Sequence, residues 1–140
     1  MKMDYDGVFA VYHGIECQMV DGRDGTVSLA TDNATALKYG FSESLPGWYI
    51  NRVRSIELDC AYYKLVKGLY KGQVIQLLSV ESDGSIYIGA NGKWEIFEKL
   101  GFEFIDRDDY VKRKVPISDV SEISERLYPM TFVGNRWIVD

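Results

Sequence analysis

The two halves of the chain repeat one pattern of glycines, aromatic residues and β-branched runs. Towards the end of each half the correspondence keeps one constant separation, which composition alone seldom produces. The matched segments are Gly7-Val8-Phe9 with Gly68-Leu69-Tyr70, Asp24-Gly25-Thr26 with Asp83-Gly84-Ser85, Tyr39-Gly40-Phe41 with Leu100-Gly101-Phe102, and Tyr49-Ile50 with Tyr110-Val111. An internal duplication restricts the fold to two related units. The alternative is that two β-rich halves merely share turn glycines and apolar strands.

Each copy predicts a β-hairpin, a short helix and a final strand. Asp24-Gly25 and Asp83-Gly84 are favoured turn dipeptides, because glycine accepts a positive φ without steric cost. Asp32 or Asn33 is placed to cap a short helix over Ala34–Tyr39. The second helix is predicted over residues 94–100, and the final strands over 48–53 and 110–115.

The end of the chain predicts a separate piece. Gly134-Asn135 lies between two apolar runs, which is typical of a hairpin with a two-residue turn. Such a hairpin would cover an edge strand that is otherwise open to unwanted pairing. Residues 118–127, just before it, predict a short helix.

These elements predict a mixed α+β fold, mostly antiparallel β. We expect one compact domain over residues 1–140, made of two repeat units at about 7–66 and 68–127 and a C-terminal hairpin at 128–140. A pair of small, partly open barrels is the alternative architecture.

Charge and composition exclude several classes of protein. The 140 residues have a net charge of -5, so the field of the protein repels phosphate backbones and disfavours nucleic acid as a partner. The chain has no apolar run long enough to span a membrane, and its acidic start does not resemble a signal peptide. Two well-separated cysteines are too few for a disulfide framework, so we expect both to be reduced thiols. We therefore expect a cytoplasmic protein without membrane contact.

No sequence pattern specifies an enzyme, a cofactor or a metal. His13 and Cys17 have the spacing of two residues on one face of a strand, but Gly14 between them favours a turn, so we expect no catalytic pair. One histidine and two cysteines do not supply a zinc site. Phosphate-binding loops and nucleophile elbows are also missing from the sequence.

Acidic and aromatic residues give the remaining signal. The run Asp106-Arg107-Asp108-Asp109, preceded by Glu103, favours a solvated acidic loop over a site for a hard cation. Adjacent aromatic residues such as Trp48-Tyr49 face opposite sides of a strand, so one of them points outward. Outward aromatic residues beside carboxylates are typical of a protein-binding surface. Packing on both faces of the sheet is the alternative.

In its general character, as a small acidic chain poor in cysteine and without catalytic motifs, the protein resembles the immunity proteins of bacterial toxin–immunity systems, polymorphic or contact-dependent. The resemblance implies that an acidic surface binds a basic toxin, often a nuclease, and neutralises it. On this model the partner-binding residues are Glu103, Asp106, Asp108, Asp109, Tyr110 and Trp48.

Two other functions stay open at this point. A phage or mobile-element inhibitor or accessory protein would have the same composition. A small ligand-binding β domain would use the space between the two units, lined by tyrosines with Arg52 or Arg113. These arginines hold corresponding positions in the two copies, although such an arginine more often pairs with a carboxylate on its own sheet.

Overall fold

The protein is mostly antiparallel β-sheet with few helices, as predicted. The computed structural model describes residues 6–81, 83–92, 94–107 and 109–140. The chain divides into two units, and the division falls inside two long strands. The first unit comprises Gly7–Lys64 with Leu127–Asp140, and the second comprises Asp6 with Leu65–Arg126.

The first unit is built from antiparallel neighbours in the order β4-β5-β3-β2-β1-β6. Its strands are β1 (Gly7–Tyr12), β2 (Ile15–Asp21), β3 (Thr26–Thr31), β4 (Ser42–Glu43), β5 (Tyr49–Arg54) and the first half of β6 (Cys60–Tyr70). Short 3₁₀ helices occupy Ala34–Tyr39 and Ser55–Glu57. Local chemistry explains the first of them, because the Asn33 side chain accepts a hydrogen bond from the Thr35 amide and Gly40 ends the helix at a φ of 88°.

The second unit has the strand order β6-β7-β8-β10-β9. After the second half of β6 come β7 (Gln73–Val80), β8 (Ile86–Asn91), helix α1 (Trp94–Lys99), β9 (Glu103–Asp106), β10 (Asp109–Val115), a 3₁₀ turn at Ile117–Asp119 and the start of β11 (Val120–Val133). Gly101, at a φ of 84°, reverses the chain after α1 so that the Phe102 amide reaches the Phe97 carbonyl at 3.0 Å. That reversal brings Phe97 and Phe102 into the core.

Each unit has its own apolar core, formed by the inward residues of its strands and by residues of its helices and loops. In the first unit the core includes Cys17, Met19, Val27, Leu29, Phe41 and Tyr49. In the second unit it includes Ile75, Leu77, Ile86, Ile88, Phe97, Phe102 and Tyr110. For the core residues that lie on strands, the alternation fixes the register, since a slip by one residue would turn them outward.

The predicted hairpins at the Asp-Gly steps are confirmed. β2 pairs β3 across Asp24-Gly25, and β7 pairs β8 across Asp83-Gly84, both antiparallel. At each turn the aspartate carboxylate accepts the backbone N–H and the hydroxyl of the residue after the glycine, at 3.0 and 2.6 Å. The turns therefore stabilise themselves through side chains only two residues apart.

The helix predicted over residues 118–127 is wrong. Only Ile117–Asp119 is helical, and Val120–Val133 forms the 14-residue strand β11, which pairs β6 and β12 (Arg136–Val139). The spacing of Ile123 and Leu127 matches a helix, but pairing with neighbouring strands overrides so weak a local preference. The C-terminal hairpin is confirmed, with Val133 opposite Arg136 across the predicted turn.

Candidate functional site

The acidic residues predicted to bind a partner lie at the edge of the second unit. β9 is the last strand in the order and pairs β10, with Glu103 opposite Val111 and Phe104 opposite Tyr110. All four β9 residues are exposed. An edge strand presents unpaired backbone N–H and C=O groups along one side. We call the surface formed by Glu103, Phe104, Ile105, Asp106 and Asp109 the acidic edge.

Two large apolar side chains stand out of the acidic edge. Phe104 is 59% exposed and Ile105 is 54% exposed. The Phe104 ring meets the Tyr110 ring edge-on, with centroids 5.5 Å apart. Since Tyr110 is only 5% exposed, it supports Phe104 from below. Phe104 is thus held in place while it remains open to solvent.

The prediction of Tyr110 as a partner-binding anchor needs correction, because its side chain belongs to the core of the second unit. Phe104 takes the exposed position, and sequence reasoning missed it. The signal was the placement of Phe104 and Ile105 between acids in a short segment, but only the strand order identifies that segment as an edge.

The acids of the edge face one another at a cost to the fold. Asp106 lies opposite Asp109 in the ladder between β9 and β10. Like charges directly opposite each other destabilise a strand pair. Asn91 offsets part of this, because its Nδ2 donates to Asp109 Oδ1 at 2.6 Å. Asp108 lies outside the described residues, and Trp48 is a half-buried residue of the first unit, in the turn before β5.

Arg52 and Arg113 each have a partner within their own unit. Arg52 Nη2 lies 3.1 Å from Asp24 Oδ2, and its Nε donates to Thr26 Oγ1 at 3.1 Å. The Thr26 hydroxyl, which donates to Asp24, is the main cause that holds the pKa of that aspartate below its usual value. The Arg113 guanidinium lies 5.0 Å from the centroid of the Tyr87 ring.

Beside Arg52, the outer face of the first unit has an open groove of about 440 Å³. Its walls are mainly apolar, with Val20, Ala30 and Ile50 projecting from β2, β3 and β5. Val20 is 69% exposed, so this part of the sheet is open to solvent. A groove of this volume fits the usual range for small-molecule sites.

His13 and Cys17 are not arranged as a catalytic pair. His13 is exposed in the turn between β1 and β2, at a φ of 50°, and its ring stacks on Tyr39 with centroids 4.3 Å apart. Cys17 is 1% exposed in the core of the first unit. The histidine therefore packs against aromatic rings at the surface, and the thiol fills the interior.

Sequence reasoning missed a polar cluster on the face of the first unit opposite its core. Lys64, 2% exposed, places Nζ 3.1 Å from Glu16 Oε1 and 4.5 Å from the centroid of the Phe9 ring. The Tyr62 hydroxyl donates to the other Glu16 oxygen. These contacts join β1, β2 and β6, so they stabilise the sheet.

Within the described ranges, no group of three or more histidine, cysteine, aspartate or glutamate side chains is arranged to hold a metal ion. None of the helices in that part of the chain is both long and apolar enough to cross a membrane.

Taken together, the fold and these sites define a class of small antiparallel β protein with an acidic, partly apolar edge strand. The chain belongs to the family described as Uncharacterised conserved protein UCP033725, whose model matches residues 4–131. No curated protein and no solved structure matches the chain.

Proposed function

We propose that the chain is a protein-binding inhibitor that neutralises a basic toxin, in the manner of an immunity protein. The observation that supports the proposal is the acidic edge, where two exposed apolar side chains stand among three exposed carboxylates. Exposed aromatic and aliphatic anchors supply binding energy, and surrounding charges steer association and select the partner.

The geometry of β9 suggests how the contact forms. A basic segment of the toxin would lie along the open side of the strand, where backbone groups remain available. Phe104 and Ile105 would enter apolar depressions of the partner. Glu103, Asp106 and Asp109 would face its cations, and in a nuclease they would occupy the place of substrate phosphates. The repulsion between Asp106 and Asp109 is then relieved on binding, because the partner brings positive charge.

The test is co-expression of the chain with the protein encoded next to it, followed by affinity capture and size-exclusion chromatography. We expect a stable one-to-one complex with a basic protein that is toxic when expressed alone. If the neighbour is harmless, or if both proteins elute separately at micromolar concentration, the proposal is wrong.

Charge-reversal variants then locate the surface. Glu103→Lys/Asp106→Lys should slow association by about 10- to 100-fold, and the effect should diminish at high salt. The matched control is Glu95→Lys/Glu98→Lys, which makes the same change in net charge on exposed residues of α1. Equal effects of the two variants would assign the attraction to net charge and reject the acidic edge as the site.

The open groove beside Arg52 supports a second candidate, a small ligand-binding β domain. Apolar walls with an arginine at the rim fit a small molecule that has an apolar body and a polar end. A thermal-shift screen of small molecules tests this candidate, and a true ligand should lose its shift in Ile50→Lys, which places a charge in this groove.

A phage or mobile-element inhibitor would use the same acidic edge, so biochemistry on the chain alone does not separate it from an immunity protein. The genes on either side separate the two. An immunity gene lies directly beside its toxin gene, whereas an accessory gene lies among phage genes.

We also propose that the two repeat units predicted from the sequence arose by internal duplication. The turn chemistry supports it: His13-Gly14 and Lys71-Gly72 both have positive φ at both residues, and the two Asp-Gly turns have the same hydrogen bonds. Reciprocal exchange of the hydroxyl residues, Thr26→Ser with Ser85→Thr, should leave thermal stability unchanged, and a large loss would argue against equivalence of the turns.

A further inference from the structure

The C-terminal hairpin and β2 enclose a groove at the surface of the first unit. Two adjoining cavities, of about 440 and 620 Å³, share Arg23, Arg136 and Ile138 as lining residues. The walls of the smaller cavity are mainly apolar, with Met19 and Met130 among them. We call the two cavities together the arginine groove.

Both arginines of the groove are exposed and available for an anion. Among the described residues, no carboxylate lies within ion-pair distance of Arg23 or Arg136. The acid of the groove is Asp21, and each of its oxygens accepts a backbone N–H, from Arg23 at 2.9 Å and from Trp137 at 2.8 Å.

The apolar part of the groove is continuous with the core. Met130 and Trp137 project from the hairpin and pack against the core of the first unit. Met19 of β2 is 5% exposed and belongs to that core. A ligand with an apolar body would therefore contact a fixed surface rather than a mobile loop, because the Asp21 hydrogen bond holds the hairpin on β2.

We infer that the arginine groove binds a small amphiphilic carboxylate, with the carboxylate on Arg23 and Arg136 and the apolar chain along Met19, Met130 and Trp137. A guanidinium matches a carboxylate in a planar, two-pronged hydrogen bond, and its charge strengthens that bond. The volumes of the cavities fit a ligand of this size. The inference is independent of the acidic edge, which lies in the second unit.

Three probes test the inference by isothermal titration calorimetry on the full chain: octanoate, octylammonium and acetate. We expect octanoate to bind at least about tenfold more tightly than either of the others, because only octanoate supplies both the charge and the apolar body. Equal affinity for octylammonium would refute the role of the arginines. Equal affinity for acetate would refute the role of the apolar wall, and absence of octanoate binding would refute the site.

Variants assign the binding to the groove. Arg136→Gln and Arg23→Gln should each weaken octanoate by about tenfold or more, and Arg54→Gln serves as control, because Arg54 is exposed and outside the groove. Arg23 lies in a turn, so its variant keeps the test valid if Arg136→Gln disturbs the hairpin. An equal loss of octanoate affinity in Arg54→Gln would show that binding depends only on the net charge of the protein, and it would overturn the inference.

Discussion

The carboxylate of Asp21 joins the C-terminal hairpin to β2, and its removal should release the hairpin. One oxygen accepts the amide of Arg23 in an exposed turn, and the other accepts the partly buried amide of Trp137, 116 positions further along the chain. Asp21→Ala deletes both bonds and leaves the Trp137 N–H without a partner.

The magnitude follows from these two bonds. A hydrogen bond to a charged group contributes about 1.5–3 kcal/mol, and the exposed bond lies at the low end because water replaces it. Asp21→Ala should therefore lower the free energy of unfolding by about 3 kcal/mol. Asp21→Asn keeps one acceptor oxygen and should cost about half as much.

Urea denaturation measures the loss, and hydrogen exchange at the Trp137 amide locates it. The control is Asp59→Ala, which removes a single exposed bond, from the Gly14 amide at 3.1 Å, and should cost about 1.5 kcal/mol, the low end of the same range. If Asp21→Ala costs no more than Asp59→Ala, or if exchange at Trp137 does not change, the carboxylate does not hold the hairpin.

Three further substitutions test the fold. Ile88 is 0% exposed, so Ile88→Ala should lower the free energy of unfolding in urea by about 2–5 kcal/mol, and a smaller loss would mean that the site collapses around the cavity. A Cβ at Gly68 would lie 2.6 Å from Val120 Cγ1, so Gly68→Ala should cost about 1–3 kcal/mol in the same assay, unless β11 moves away without cost. Thr26→Val should raise the pKa of Asp24 towards its usual value in an NMR titration, because the Thr26 hydroxyl is the main cause of the lowered pKa. The lowered pKa stabilises the folded chain above about pH 4, and this contribution is lost as the pH falls through the folded pKa, so the variant should lose less stability between pH 6 and pH 2 than the parent.

Features that depend on neighbouring residues could be predicted from the sequence. The Asp24-Gly25 turn, the Asn33 cap and the turn at Gly134-Asn135 each need side chains or φ angles within a few positions, and the structure has all three. Local chemistry of this kind is the same in a short peptide and in the folded chain.

Features that depend on distant strands could not be predicted. Residues 120–127 belong to strand β11, which pairs β6 as well as β12, and β6 is far from β11 in sequence. The exposure of Phe104 and the burial of Tyr110 depend on β9 being the last strand of the sheet. The sequence does not separate the two residues, because each is an aromatic residue between an acidic and an aliphatic one, and their rings touch across the ladder between β9 and β10. The acidic residues around them could be identified from the sequence, because the charge of a side chain follows from its residue type alone.

Because β1 pairs with β6, it lacks one of its two neighbouring strands for some time during synthesis of the chain. Phe9 pairs Tyr62, so at 5–20 residues per second the ribosome makes the partner of β1 roughly 3–10 s after β1 itself. The hairpins that β1 forms with β2 and that β6 forms with β7 close within microseconds, because their turns are local. For those seconds the outer side of β1 is a nascent edge that a chaperone can occupy, and the Phe9 ring lacks the Lys64 ammonium that later lies over it.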